Sequence, residues 1–167
     1  MADDRTDSVS EETLRPGLEM PLAQSLGYQI RATHRLFQRA LQTEIEKSAV
    51  TLGMWYFLRV LWSEDGITQS ELSQRVGTME PTTLSAIRDM ERDGLVRRAP
   101  HADDRRKINI HLTDKGRDLR EKLLPAAHAV IGAASAGLTA REKTMLIALL
   151  KAMQANLQAN LQASLQE

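Results

Sequence analysis

The stretch from Gly66 to Thr113 constrains this chain most: it reads as two short helices joined by a tight turn, followed by a two-stranded ribbon with a basic tip. Thr68 is placed to cap a first helix, with Glu71 three residues on as the return half of a capping box. Leu72 and Val76 share one face of that helix. Gly77 supplies the positive φ that a tight turn requires. Pro81 fits the first turn of the next helix, where the N–H it lacks would be unpaired anyway. That helix is predicted to run to Asp93, with Gly94 ending it. At about 100° per residue, Leu84, Ile87 and Met90 fall on one side with Thr83 and Ala86 beside them, and Thr82, Ser85, Asp89 and Arg92 fall on the other. A face of small hydroxyls near a helix start suits entry into a DNA major groove. An ordinary helical hairpin with a solvated face satisfies the same periodicity.

The residues that follow favour the first reading. Leu95-Val96-Arg97-Arg98 reads as a short strand. Ile108, Ile110 and Leu112 alternate with Asn109, His111 and Thr113, the period of a strand with one buried face. Between them lies a polar loop, residues 99–107, that ends in Arg105-Arg106-Lys107. A helix–turn–helix followed by a basic hairpin is a winged-helix arrangement, with Arg105 and Arg106 placed for phosphates or a minor groove.

The segment resembles the DNA-binding core of the MarR family, the multiple antibiotic resistance regulators. The matching pieces are Gly66-Ile67-Thr68-Gln69-x-Glu71-Leu72, then Met90-Glu91-x-x-Gly94-Leu95-Val96-x-Arg98, then Asp104-x-Arg106 followed by Leu112-Thr113-x-x-Gly116. Weaker similarity extends from about residue 22 to about 155. The chain departs from the family in the recognition helix, where members often carry a basic residue in place of Ser85 and an acid–basic pair in place of Arg88-Asp89. The resemblance implies a mainly α fold with a small β wing and a dimer formed by the N- and C-terminal helices. Together with the two-faced helix it nominates Thr68, Gln69, Thr82, Thr83, Ser85, Arg88, Asp89, Arg92, Arg105, Arg106 and Lys107 for DNA contact, and Asp104 as support for the wing.

Composition bears on partners. The 22 basic and 22 acidic residues cancel, so net charge does not announce a nucleic-acid ligand. Their distribution is uneven: residues 1–20 hold six acids against two arginines, and residues 95–122 hold nine cations against five acids. Local charge sets the field at a binding face. The absence of cysteine excludes disulfides and thiol redox sensing. Neither a signal peptide nor a membrane-spanning apolar run is visible, so a cytoplasmic protein is expected.

Residues 1–20 read as a disordered acidic arm. Residues 21–157 read as one domain, with the DNA-binding lobe at 51–117 and dimerisation helices at 21–48 and 118–157. The first helix, residues 22–47, carries a stripe of Leu22, Leu26, Ile30, Phe37, Leu41 and Ile45. Thr51 caps the next helix. Every aromatic residue of the chain lies on these two helices: Tyr28, Phe37, Trp55, Tyr56, Phe57 and Trp62. Such bunching reads equally as core or as the lining of a small-molecule pocket. In the second case Tyr28, Phe37, Trp55, Phe57 and Trp62 would form the wall, and Arg31, His34, Arg35 and Arg59 would anchor an anionic aromatic ligand or a thioester's phosphates. Thr113 opens another helix, which Pro125 is predicted to kink or restart. The small side chains of residues 126–136 permit close helix approach. Thr139 and Glu142 form a second capping box before a last helix rich in leucine. From Gln154 it repeats Gln-Ala-Asn-Leu, with Ser164 in place of Asn in the last copy, and its end, residues 158–167, is expected to be helical or frayed.

The leading function is a homodimeric, ligand-responsive regulator, expected to repress and to bind a pseudo-palindromic double-stranded DNA operator. A ligand-blind architectural DNA binder is the alternative. A small all-α enzyme is disfavoured: His34, His101, His111 and His128 lack metal-ligand spacing, and neither a nucleophile elbow nor a glycine-rich phosphate loop is present. No cofactor or metal is expected.

Overall fold

A computed structural model describes residues 21–104 and 106–164. The predicted acidic arm lies outside the described residues. The described residues divide into two units, 21–36 and 37–164.

In the first unit, a 3₁₀ turn at Leu22–Gln24 precedes the start of helix α1 (Leu26–Ile45). Leu22, Leu26, Ile30 and Leu36 all keep their side chains exposed. The single long helix predicted over 22–47 is therefore an α-helix with a 3₁₀ turn at either end, the second at Glu46–Ser48.

The second unit holds the last turns of α1, then α2 (Leu52–Ser63), α3 (Gln69–Val76), α4 (Glu80–Arg92), strands β1 (Val96–Pro100) and β2 (Ile108–Leu112), α5 (Asp114–Ala134) and α6 (Ala140–Ala163). Local chemistry accounts for most of these boundaries. Thr51 Oγ1 accepts from the Met54 N–H and starts α2. Both halves of the Thr68–Glu71 capping box are made, and α3 ends on Gly77 at φ 74°, whose N–H donates to the Ser73 and Gln74 carbonyls. The Ser73 hydroxyl donates to the Thr78 carbonyl, closing the turn into α4. A second complete capping box, Thr139–Glu142, opens α6.

The core is built around Ile45, Leu58, Leu61, Leu72, Ile87, Met90, Ile110 and Leu123, all fully buried. β1 and β2 pair antiparallel, with Val96 opposite Leu112, Arg98 opposite Ile110 and Pro100 opposite Ile108. The first strand begins one residue later than predicted and runs on to Pro100. Leu95 belongs to the turn, its N–H bonded to Met90 O. Pro100 is tolerated because it ends a strand in a two-stranded ribbon, where one missing donor interrupts no inner ladder. β2 also bonds on its other side: Gly66 N–H donates to Ile110 O and Ile110 N–H donates to Ile67 O. The wing root is thus stitched to the segment that leads into α3.

Pro125 neither ends nor restarts its helix; α5 is continuous across it. The proline is exposed, so the carbonyl one turn earlier, deprived of its partner N–H, can turn to water. The helix stops instead at Ser135, before Gly137 at φ 83°. Along α6 no residue is buried, and Met145, Leu146, Ile147, Leu149, Leu157 and Leu161 are all exposed. The C-terminal repeat is helical through Ala163.

Gly116, in the first turn of α5, is the tightest point of this unit. A Cβ built there would lie 2.1 Å from the Leu95 carbonyl oxygen, whereas one at Gly53 meets only Thr51 Oγ1 at 3.7 Å. Gly116→Ala should therefore destabilise the protein by about 1–3 kcal/mol through forced backbone displacement. Gly53→Ala, which only removes unfolded-state freedom within a helix, should stabilise it by a few tenths to about 1 kcal/mol. Urea titrations of the two variants that shift in the same direction would contradict this account.

Candidate nucleic-acid interface

α3, the start of α4 and the wing enclose an open groove of about 380 Å³ lined by Thr68, Gln69, Ser70, Glu71, Gln74, Glu80, Arg106, Lys107 and Ile108. Its floor is held by hydrogen bonds that the sequence motifs require. Thr68 Oγ1 donates to Glu71 Oε2 at 2.7 Å, and the Thr68 N–H donates to the same oxygen at 2.8 Å. These bonds hold the Glu71 carboxyl below the usual carboxylate range, so the cap stays charged at neutral pH. Ser70 Oγ donates to Glu80 Oε1 at 2.9 Å, tying α3 to the first turn of α4.

On α4, Thr82, Ser85, Arg88 and Arg92 are exposed, and Asp89 is half-buried. Thr83 is a correction: it was expected among the DNA contacts but is fully buried, and its hydroxyl lies 2.8 Å from Thr78 Oγ1. The helix turns it toward the core with Ile87 and Met90, so its side chain closes the turn and is not available at the surface. Arg92 is bracketed by acids, with Nη1 2.8 Å from Asp89 Oδ1 and Nε 3.4 Å from Asp93 Oδ1.

In the wing, Asp104 accepts from the Arg106 backbone N–H and from Arg106 Nε, both at 3.1 Å, and from Nη2 at 3.3 Å. The Arg106 side chain leads the causes that hold the Asp104 carboxyl below its ordinary value. A lowered carboxylate pKa means that this clasp contributes above the unfolded value and is lost only as pH falls through the folded one. At neutral pH it is therefore intact. One edge of the guanidinium is engaged while the side chain remains 91% exposed, so the Nη1 edge faces solvent. Lys107 is exposed beside it. Arg105 lies outside the described residues.

Comparisons with known proteins agree with this geometry. The family model described as MarR family matches residues 50–108. The transcriptional regulator TtmR of Methylorubrum extorquens is 32% identical over 133 residues, covering 80% of this chain and 67% of that protein. The chain belongs to the MarR family. The regulator BilQ of Clostridium symbiosum is 26% identical over 130 residues, covering 78% of this chain and 90% of its own length. Among solved structures, a MarR regulator from Methanosarcina mazei superposes with a TM-score of 0.73 at 28% identity, over 78% of this chain and 94% of that one. The fold is shared with S. aureus MepR in its DNA complex, TM-score 0.74 and 24% identity over 79% of this chain and 98% of that one. It is shared as well with Streptomyces coelicolor PcaV in complex with its natural ligand, TM-score 0.75 and 22% identity over 83% of this chain and 97% of that one. This MarR-family chain is accordingly a DNA-binding transcriptional regulator and not an enzyme. No described helix is long and apolar enough to cross a membrane.

A second concavity of about 230 Å³ lies among the C-terminal half of α1, α2 and α5, lined in part by Phe37, Leu41, Trp55, Tyr56, Arg59, His128 and Ile131. Of the aromatic and cationic residues nominated from sequence, it gathers Phe37, Trp55 and Arg59. The Arg59 guanidinium stacks 5.6 Å from the Trp55 ring centroid. Phe57 is instead 3% exposed in the hydrophobic core, on the opposite face of α2. Trp62 packs edge-on to Trp55 with centroids 5.8 Å apart, but its indole N–H donates to the Gly116 carbonyl at 2.8 Å. It is a bracket between α2 and α5, not cleft lining. Tyr28, Arg31, His34 and Arg35 belong to the first unit and are exposed there. Sequence reasoning missed Leu41, His128 and Ile131 as lining, because helices far apart in the chain contribute them and no spacing rule connects residues 37 and 128.

Arg106→Ala should weaken binding to operator DNA by about 1–3 kcal/mol, with unchanged circular dichroism and an unfolding midpoint lowered only slightly, because the pair it loses is solvent-exposed. Lys107→Ala should instead weaken all sequences alike and lower the slope of log K against log salt by about one. Electrophoretic titrations across a salt series distinguish the two. Wild-type affinity and slope in both variants would remove the wing from the interface.

Proposed function

We propose that this regulator is a homodimeric repressor, released from a pseudo-palindromic operator by a small anionic aromatic or acyl-thioester effector. The observation that carries the reading is the cleft among α1, α2 and α5. It combines an apolar aromatic wall with Arg59 and His128, a composition suited to a flat ligand bearing a negative charge.

The cleft is also mechanically connected to the DNA-reading elements. The end of α2 is joined to the root of α5 by the Trp62–Gly116 hydrogen bond and by Arg117 Nη1, 3.1 Å from Asp65 Oδ2. A ligand that changes the spacing of α2 and α5 therefore acts on both the entry to α3 and the base of the wing. Operator affinity then falls by the ligand's differential affinity for the two arrangements. Dimerisation is supported by the exposed leucines and methionine of α6, which a polar helix leaves uncovered in a lone chain. Two-fold symmetry in the protein would be mirrored by the operator. MepR with DNA and PcaV with its ligand supply fold precedents for both states.

Arg59→Ala should leave operator affinity unchanged while shifting the effector concentration needed for release roughly ten- to hundred-fold, the worth of a charge-assisted hydrogen bond. Binding is followed by quenching of the combined Trp55 and Trp62 fluorescence with aromatic acids and their thioesters. An Arg59→Ala protein with the wild-type response would discard the anchor, and no fluorescence response to any such acid would favour a ligand-blind DNA binder. Truncation after Ala136, which removes α6, should yield a monomer or an aggregate in sedimentation. A soluble monomer with full operator affinity would refute the dimer assignment.

A further inference from the structure

We propose that Arg88 is the base-reading cation of the recognition helix and that it selects a guanine at one symmetric position in each operator half-site. The inference rests on the DNA-binding reading above and adds to it which residue sets specificity and which base it chooses.

The outward face of α4 carries two arginines in different circumstances. Arg92 has its guanidinium bracketed between Asp89 and Asp93, so both edges of the fork meet carboxylates of its own helix end. Arg88 is exposed, and no carboxylate among the described residues lies within ion-pair distance of it. It sits one turn beyond Ser85, on the side opposite Thr83, Ile87 and Met90, which anchor the helix to the core. Side chains on a helix lean toward its N-terminus, so Arg88 extends back over positions 84 and 85. Leu84 is half-buried and Ser85 is short, which leaves that path open to a long side chain. The N-terminal end of such a helix is the end that enters the major groove. Arg88 therefore delivers an uncommitted planar fork toward base edges, and a guanine's O6 and N7 form the acceptor pair that such a fork matches. The pairing of Asp89 with Arg92 has a second effect: it neutralises the acid that would otherwise repel phosphates beside the reading residue.

The test is a binding selection by the full-length protein from duplexes with randomised, dyad-symmetric half-sites, run for wild type, Arg88→Ala and Arg88→Lys. Wild type should enrich a guanine at one symmetric pair of positions. Arg88→Ala should lose discrimination at that pair by about ten- to hundred-fold, keep the rest of the motif, and retain the wild-type salt slope. Arg88→Lys, which keeps the charge without the fork, should also lose preference at that pair. Three results would overturn the proposal. One is an unchanged motif in Arg88→Ala. Another is uniform weakening over all sequences with the salt slope reduced by about one, the signature of a phosphate contact. The third is full retention of the motif by the lysine variant. A wild-type protein that enriches no motif at all would strike at sequence-specific DNA binding itself, a different failure.

Discussion

The Asp65 carboxylate is the junction on which the DNA-binding unit depends. It accepts from the Gly66 N–H at 2.9 Å, from the Leu112 N–H at 2.8 Å and from Arg117 Nη1 at 3.1 Å. Those donors belong to the segment between α2 and α3, the end of the second wing strand and the first turn of α5. One side chain thus joins three elements that meet from widely separated parts of the chain. Around it, Thr113 Oγ1 donates to the Gly94 carbonyl at 2.7 Å, and the Gly116 backbone comes so close to Leu95 that only glycine fits. A short helix pair and a two-stranded ribbon have little core of their own. Their relative placement is set by this knot of backbone contacts as much as by the buried leucines and isoleucines.

Electrostatics in this protein works by local commitment of charge, since the totals cancel. Arg75 is held by Glu64 at 2.6 Å, Arg98 by Glu91 at 2.8 Å and Arg92 by two aspartates. These pairs are largely solvent-exposed and add little stability. Their consequence is to determine which cations remain available to a polyanion. Arg106 is half committed, clamped along one edge by Asp104, which orients it at the wing tip without hiding it. A basic face on a neutral protein arises in this way from the pairing pattern more than from the composition.

The same knot lies between the cleft and the DNA-reading elements. α2 and α5 wall the cleft at their middles and meet the DNA-reading elements at their ends, so a small change in their spacing has a short path to α3 and to the wing. Packed interiors switch between discrete arrangements and do not deform smoothly. α6 leaves most of its apolar side chains exposed and contributes no residue to the groove between α3 and the wing.

Features whose physics is local were legible in the residues alone. The capping boxes at Thr68–Glu71 and Thr139–Glu142, the left-handed turn at Gly77, the proline in the first turn of α4 and the alternating strand at 108–112 each depend on neighbours within a few positions. The motif pieces that carry the MarR resemblance are of the same kind. Tertiary structure alone decided what a side chain does once elements meet. Periodicity put Thr83 beside the buried face of its helix but did not show its hydroxyl spent on Thr78. The bunched aromatics divided three ways: Trp55 stands in the core where it walls the cleft, Phe57 lies in the core away from it, and Trp62 forms a bracket on Gly116. Asp65 looked like an ordinary loop acid and proved to be the junction, because two of its three partners lie 47 and 52 residues away. Sequence spacing carries information over the few residues that share a helical turn or a strand pair, and it carries none about which distant segments will face one another across a core.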